Sequence, residues 1–384
     1  MSGTEGFLTV AAALAWLVLA LGRGRFWMAG PVLRSAGNGP SRWPAVCAVV
    51  PARNEADILP STLPALLRQD YPGDLRVVLV DDESDDGTAG IAEGISSSVK
   101  SGRPFRVLRP GTREPGWTGK LWALEQGLRS YSAEYFLFTD ADILHPPSSV
   151  RDLVALSEER GLDLASAMAR LRCASFWERL LIPAFVFFFK KLYPFDWAND
   201  PRSRAAAAAG GAVLARMSAL EKMGGLRTIR SEIIDDCALA KAVKRSGGNI
   251  WIGLSRDVRS LRAYPALGGV WNMVARTAFA QLGHSSLALA GTAAGMLLLY
   301  GWAPALFFAG IAGGDPVRTA LGAGLWTAVS LLYSPMVRFY GLSPLRALSL
   351  PFAACLYCGM TFHSAWLYWT GSGGLWKGRA QDFS

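Results

Sequence analysis

The chain has 384 residues, of which 51% are hydrophobic and only 18% are charged, so it is rich in apolar residues for a soluble protein. Its net charge of +9 would suit nucleic-acid binding if the basic residues formed one stripe, but they lie in small groups beside apolar segments. Composition and charge therefore favour contact with a lipid bilayer and argue against a nucleic acid as partner.

The first apolar segment, residues 7–21, carries no charge and is followed by Arg23, Arg25 and Arg34. It predicts a membrane-spanning helix whose C-terminal end lies on the cytoplasmic side. A cleaved signal peptide is the alternative. Its positive charge would belong before the apolar run, however, where Glu5 is the only charged residue.

A first buried strand is predicted at residues 45–50. Pro51 is expected to end this strand, and Asn54 is expected to cap a helix that runs from Glu55 towards Gln69. The end of a strand that carries backbone N–H groups and a helix cap is suited to binding a base or a ribose.

A second buried strand, residues 77–80, ends in a cluster of acids. Its four aliphatic residues predict a strand that is covered on both faces. Ligands of open α/β sheets bind at the carboxyl ends of the strands, which makes these acids candidates for a nucleotide and metal site. The candidates are Asp81, Asp82, Asp85 and Asp86.

Two other interpretations of this acidic segment remain open. The residues from Asp82 to Glu93 have the spacing of an EF-hand calcium loop, but such a loop lies between two helices and not after a strand. The acids could also form a solvated turn without a function.

A third strand at residues 105–108 leads to a Gly-Lys pair at the predicted start of a helix. Gly119 allows a ligand to approach closely, and Lys120 could meet a phosphate or a base, or could simply lie on a solvated face. Strands that alternate with helices through short turns predict parallel βαβ units.

The fourth predicted strand ends in a D-x-D pair, Asp140 and Asp142. Two carboxylates at positions i and i+2 point to the same side of a strand end and repel each other unless a divalent cation lies between them. Mg²⁺ or Mn²⁺ accepts such ligands and keeps sites for a substrate diphosphate. A haloacid-dehalogenase phosphatase is the alternative, although its D-x-D usually precedes Gly-Thr near the start of the chain.

Apolar segments dominate the last hundred residues, where spans are predicted at 285–311, 318–337 and 347–370. A further apolar segment, residues 173–195, is broken by Pro183 and flanked by charges. It predicts a helix that lies in the membrane interface, with a buried core helix as the alternative.

Two acids, Asp235 and Asp236, open a predicted helix whose dipole favours carboxylates at this end. One of them could be a general base, which needs a carboxylate within hydrogen-bond reach of the proton that it removes. By spacing alone, both could equally be ordinary residues of the helix start.

Taken together, these motifs resemble the inverting family 2 glycosyltransferases of GT-A fold. The matching residues lie between about 44 and 262 and are Pro51-x-x-Asn54-Glu55, Asp81-Asp82-x-Ser84-x-Asp86, Gly119-Lys120, Asp140-x-Asp142, Gly210-Gly211, Gly224-Gly225 and Asp235-Asp236. With the apolar segments and Leu-Trp-Lys-Gly-Arg at 375–379, the chain is most similar to the hopene-associated glycosyltransferases and more distantly to the ceramide glucosyltransferases.

The resemblance implies a UDP-sugar donor, a lipid acceptor and Mg²⁺ or Mn²⁺ as cofactor. It implies that Glu55 and Asp82 hold the uridine and that Asp140 lies on the ribose or metal side. It further implies that Asp236 is the catalytic base and that Asp142 binds the metal. The residues implied to bind the nucleotide sugar are Pro51, Asn54, Glu55, Asp82, Lys120, Asp140, Asp235 and Arg276.

The chain differs from the processive members of this family at one motif. Those members carry Q-x-x-R-W, and this chain has Val-Ala-Arg276-Thr-Ala-Phe instead. A single transfer to a lipid hydroxyl therefore fits better than polymer synthesis. The expected enzyme has a Rossmann-like, mainly parallel GT-A domain at 41–282, which faces the cytoplasm of a bacterial inner membrane, with helices at 1–40 and 283–384.

A non-catalytic membrane scaffold or transporter is the second class of function. The predicted C-terminal spans contain almost no ionisable residues, His363 being an exception. Since charge inside the membrane marks transport paths, this argues against a transporter.

Overall fold

The computed structural model describes residues 2–34 and 39–372, which form two compact units. One unit comprises Gly30–Arg172 and Trp197–Ala263 and contains the sheet. The other comprises 2–29, Cys173–Asp196 and 264–372 and is helical. The predicted motif at 375–379 lies outside the described residues.

From Val46 to Phe138 the elements alternate between strands and helices. The strands are β1 (Val46–Ala52), β2 (Leu75–Asp81), β3 (Phe105–Leu108), β4 (Tyr135–Phe138), β5 (Ile143–Leu144), β6 (Leu164–Arg170), β7 (Val213–Arg216) and β8 (Ile250–Ser260). The helices are α1 (Gly3–Gly22), α2 (Leu59–Leu67), α3 (Thr88–Ser98), α4 (Gly119–Arg129), α5 (Ser149–Arg160), α6 (Phe176–Leu192), α7 (Phe195–Ala198), α8 (Met217–Lys222), α9 (Asp235–Arg245), α10 (Leu267–Ala275), α11 (Ala278–Gln281), α12 (Ser286–Met296), α13 (Trp302–Ala312), α14 (Pro316–Phe339) and α15 (Leu350–Trp369).

The strands form one mixed sheet in the order β3-β2-β1-β4-β7-β6-β8-β5. Strand β1 pairs in parallel with β2 and β4, β2 with β3, and β6 with β8. Strand β7 runs antiparallel to both β4 and β6, and β5 runs antiparallel to β8. The predicted mixture of α and β structure is therefore confirmed, and the parallel part carries the predicted strand-end motifs.

Alternating side chains of the central strands enter two different cores. In β1, Val46, Ala48 and Val50 face one core, and Cys47 and Val49 face the other. Helices α2 and α5 cover the first face of the sheet, while α4 and α9 cover the second. A strand covered on both faces explains the uninterrupted aliphatic runs in the sequence.

The segment after β1 differs from its prediction. Strand β1 continues through Pro51 to Ala52, and α2 begins only at Leu59, after Ile58. Asn54 is not the helix cap, because Ile58 holds that position, and the backbone of Asn54 adopts a left-handed conformation with φ of 50°. Its N–H instead donates to Ser84 Oγ at 3.0 Å, and its Oδ1 accepts from the N–H of Asp85 at 3.1 Å, which ties the loops after β1 and β2 together.

The helical unit contains four segments that are long and apolar enough to cross a membrane. They are Gly3–Gly22, Ser286–Ala312, Pro316–Phe339 and Pro344–Trp369, and they confirm the four apolar segments predicted as helices. The second includes a π-helical turn, Leu297–Gly301, and the fourth begins with a 3₁₀ turn, Pro344–Ser349.

Within the predicted segment 173–195, Phe176–Leu192 form helix α6 despite Pro183, which lies inside it. The helix begins with a capping box in which Ser175 Oγ accepts the N–H of Glu178 and Glu178 Oε2 accepts the N–H of Ser175. Much of α6 is buried against α10, α14 and α15, as the core-helix alternative expects, while Phe176 and Leu192 at its two ends are exposed.

Candidate active site

The predicted strand-end residues meet at one edge of the sheet. Strands β2, β1 and β4 are neighbours and parallel, so their carboxyl ends lie side by side. Asp82 follows β2, Glu55 follows β1, and Asp140 and Asp142 follow β4. The edge where open α/β sheets bind ligands therefore carries four carboxylates from three adjacent strands.

A lysine lies at the centre of one cluster at this edge. Lys120 extends from the first turn of α4, and its Nζ lies 2.9 Å from Asp140 Oδ1 and 3.1 Å from Asp235 Oδ2. Burial alone would lower the pKa of Lys120, but the surrounding carboxylates outweigh this effect and raise the pKa above its usual value. The ammonium group therefore stays charged, and Lys120 does not lie on a solvated face.

Asp236 occupies the other side of this cluster, at the start of α9. Its Oδ2 accepts the backbone N–H of Gly210 at 2.8 Å, and its Oδ1 accepts that of Cys237 at 2.7 Å. Burial, together with the negative charge of Asp235, raises the pKa of Asp236 to about 6. A carboxylate with this pKa is ionised at neutral pH yet basic enough to take up a proton.

Glycine at position 210 keeps this cluster open. A Cβ atom there would lie 3.2 Å from Lys120 Nζ, 3.4 Å from Asp140 Oδ2 and 3.6 Å from Asp236 Oδ2. The small pocket beside it also has Pro51 and Asp235 in its lining. A ligand can therefore reach the charged groups close to the backbone.

Arg262 organises a second cluster at the same edge. Its Nη2 donates to both carboxylate oxygens of Glu55, at 2.7 and 2.6 Å, and its Nε lies 3.7 Å from Asp142 Oδ2. The same Oδ2 accepts a hydrogen bond from Ser260 Oγ at 2.5 Å. These contacts link the residues after β1, β4 and β8.

The acidic segment after β2 is held by hydrogen bonds and by Arg53. Arg53 Nη1 donates to the backbone oxygen of Asp82 at 2.5 Å and lies 3.8 Å from its Oδ2. Asp86 accepts the N–H groups of Ala56 and Thr88. Asp81 Oδ1 is buried and has no hydrogen-bond partner among the described residues, which leaves it available to a ligand.

His145 is buried behind the site and has a structural role there. Its ring nitrogens lie 2.8 Å from Thr139 Oγ1 and 2.9 Å from Ser149 Oγ. Burial lowers its pKa to about 4, so the ring is neutral at physiological pH. Thr139 in turn donates to the carbonyl of Gly211 at 2.8 Å, next to the pocket glycine.

A divalent cation is compatible with the D-x-D pair. Within residues 2–34 and 39–372, no group of three or more His, Cys, Asp or Glu side chains is arranged to hold a metal ion. Asp140 uses Oδ1 for Lys120, and Asp142 uses Oδ2 for Ser260, so each has a second oxygen on the same edge. Mg²⁺ is commonly held by one or two carboxylates together with substrate phosphates, and this donor set fits that mode.

The sequence did not indicate Arg53, Arg262 or Ser260. Arg53 occupies an unspecified position of Pro51-x-x-Asn54-Glu55, and the other two belong to no recognised motif. Arg276, predicted for the nucleotide sugar, follows α10 in the helical unit and is exposed. Its role stays a prediction.

The sheet order and the strand-end acids define an α/β protein of GT-A type. A mannosyltransferase from Pyrobaculum calidifontis, solved with GDP-Man and Mn²⁺, has a similar fold with a TM-score of 0.53 and 20% identity, over 98% of this chain and 100% of that one. Residues 47–224 match the model of the glycosyl transferase family 2. This part of the chain is therefore similar to the glycosyl transferase family 2 domain.

Curated relatives share this domain over part of their length. A β-monoglucosyldiacylglycerol synthase from Synechocystis sp. is 30% identical over 141 residues, which cover 36% of this chain and 28% of the relative. An undecaprenyl-phosphate 4-deoxy-4-formamido-L-arabinose transferase from Pseudomonas fluorescens is 32% identical over 129 residues, 32% of this chain and 35% of the relative. The chain thus spans about a third of the length of these relatives.

Proposed function

We propose that this chain is a membrane-bound, inverting and non-processive glycosyltransferase that moves a sugar from a UDP-sugar to the hydroxyl group of a lipid. The observation that carries the proposal is Asp236, a carboxylate with a pKa of about 6 in a pocket with Lys120 and Asp140. Asp236 takes the proton from the lipid hydroxyl while the oxygen attacks the anomeric carbon. The C–O bond to the diphosphate breaks, and the nucleoside diphosphate leaves from the opposite face.

The donor is proposed to lie along the carboxyl edge of β2, β1 and β4. Asp81 and Asp82 would accept hydrogen bonds from N–H or O–H groups of the nucleoside. Lys120, in the N-terminal turn of α4, would bind the negatively charged diphosphate. Asp142, with Asp140 beside it, would hold Mg²⁺ or Mn²⁺. The bound cation would neutralise the charge that develops on the leaving diphosphate.

The acceptor is proposed to be a lipid, because the described part of the chain contains four helices that are long and apolar enough to cross a membrane. The names of the curated relatives, a diacylglycerol enzyme and an undecaprenyl-phosphate enzyme, support the same class. Among lipids with a free hydroxyl we propose a hopanoid. We also propose that the chain has three parts, residues 1–40, 41–282 and 283–384. The middle part would be the enzyme domain in the cytoplasm, and the helices of the first and last parts would lie in the inner membrane.

The direct test is transfer by the purified chain in nanodiscs. Radiolabelled UDP-glucose, UDP-galactose, UDP-N-acetylglucosamine and GDP-mannose are each offered with Mn²⁺ and with a hopanoid alcohol, diacylglycerol or undecaprenyl phosphate. We expect a labelled hopanoid product from a UDP-sugar only. A product from undecaprenyl phosphate alone would refute the hydroxyl acceptor, and a product from GDP-mannose alone would refute the UDP donor. No transfer to any acceptor would refute the activity.

The rate of transfer is expected to fall as the pH drops through about 6. Asp236 must be ionised to accept a proton, and its pKa is raised to about 6, so the protonated and inactive form accumulates below that pH. The measurement is kcat/KM between pH 5 and 8 at saturating Mn²⁺, with unfolding followed in parallel at each pH. A rate that stays constant down to pH 5 in the folded protein would contradict the role of Asp236.

A further inference from the structure

Arg262 bridges two predicted donor-site carboxylates in the second cluster. Its Nη2 donates to both oxygens of Glu55 at 2.6–2.7 Å, while its Nε lies 3.7 Å from Asp142. Glu55 is only 7% exposed, and a carboxylate buried to that extent needs a partner. The guanidinium is therefore bound firmly to Glu55 and loosely to Asp142.

The position of this guanidinium affects a cation at Asp142. A divalent cation on the Asp142 carboxylate would lie within a few ångströms of the Arg262 charge, and two positive charges at such a distance repel each other strongly away from bulk water. Glu55 offsets the repulsion, because its negative charge lies on the other side of the guanidinium. Ser260 continues to hold Asp142 Oδ2, so the orientation of the carboxylate does not depend on Arg262 alone.

We propose that Arg262 is a positioning residue that pairs Asp142 with Glu55 before the donor binds and that, together with Glu55, sets the affinity of Asp142 for a divalent cation. This inference rests on the proposed function, since it takes Asp142 as the cation ligand of the donor site. It follows that the Arg262–Asp142 contact and a cation on Asp142 weaken each other, while the Arg262–Glu55 pair persists in both states.

The test measures Mn²⁺ binding to the full chain in detergent by electron paramagnetic resonance of free Mn²⁺, with UDP and without it. Arg262→Met keeps the length of the side chain and removes the charge, so we expect it to bind Mn²⁺ about tenfold more tightly than the wild type. Glu55→Gln leaves the positive charge without its counterion and should bind about tenfold more weakly. The double variant removes both charges and should return close to the wild-type affinity.

Two further variants serve as controls. Arg259→Met removes a positive charge from an exposed position on the same strand, β8, and should leave Mn²⁺ affinity unchanged. Arg262→Lys keeps the charge but has no Nε group, which in the wild type lies 3.7 Å from Asp142 Oδ2, so its Mn²⁺ affinity should lie between those of the wild type and Arg262→Met. A purely structural role for Arg262 would lower the affinity in every variant and would not produce this order.

The proposal is overturned if Arg262→Met binds Mn²⁺ no more tightly than the wild type, or if Asp142→Ala binds Mn²⁺ as well as the wild type does. These outcomes are independent of catalysis. Transfer by the wild type without the expected order of affinities would reject only the role of Arg262. The expected order in a chain that transfers no sugar would reject only the activity.

Discussion

Replacement of Asp236 by Asn is expected to reduce transfer by a factor of about 10²–10⁴ while donor binding is retained. The amide has nearly the same shape, and its oxygen can still accept one of the two backbone N–H groups, of Gly210 and Cys237, that the two carboxylate oxygens of Asp236 accept. It cannot take up the proton of the acceptor. The measurement is the rate of sugar transfer at saturating donor and lipid, with UDP affinity determined by calorimetry on the same preparation.

Asp257→Asn is the matched control, because Asp257 is an exposed carboxylate of the same unit, on β8. It should transfer at the wild-type rate. Asp235→Asn should retain more activity than Asp236→Asn, since Asp235 contacts Lys120 and is not expected to contact the acceptor. Wild-type transfer by Asp236→Asn would show that the base is another group.

The strand-end positions could be predicted because local sequence determines them. The buried aliphatic runs form β1, β2 and β4, and the acids after them lie on one edge because the three strands are parallel. Asp235 and Asp236 begin α9 as the helix-start pattern indicates. The antiparallel strand β7 has only four residues and follows a stretch of small residues, so its pairing with β4 and β6 was not predicted.

Charge compensation in the site could not be predicted, because it depends on contacts between residues far apart in the sequence. The carboxylates were expected to require a divalent cation between them. The structure instead shows Lys120 beside Asp140 and Asp235, and Arg262 beside Glu55. Arg262 and Glu55 are 207 residues apart, and no local pattern signals their pairing.

Lys120→Met is expected to destabilise the sheet unit by about 2–3 kcal/mol. It is also expected to raise the pH below which activity is lost on acidification. Removal of one partner of a buried ion pair costs about 3–5 kcal/mol, and a loss at or slightly below the lower end of that range is expected here because 20% of the Lys120 side chain is exposed to solvent, which screens the charges. Lys120 also lowers the pKa of Asp236, so that pKa should rise when the lysine is lost. Thermal unfolding and the pH profile of kcat/KM measure the two effects.

The electrostatic origin of this loss can be separated from lost packing by a second substitution. In Lys120→Met, the carboxylates of Asp140, Asp235 and Asp236 repel one another without a cation among them. Asp140→Asn removes one of these charges, so the double variant should be more stable than Lys120→Met alone, although Asp140→Asn by itself leaves Lys120 with one partner fewer. Lys241→Met, an exposed lysine of α9, should leave stability unchanged. Additive losses in the double variant would mean that Lys120 stabilises the site by packing and not by its charge.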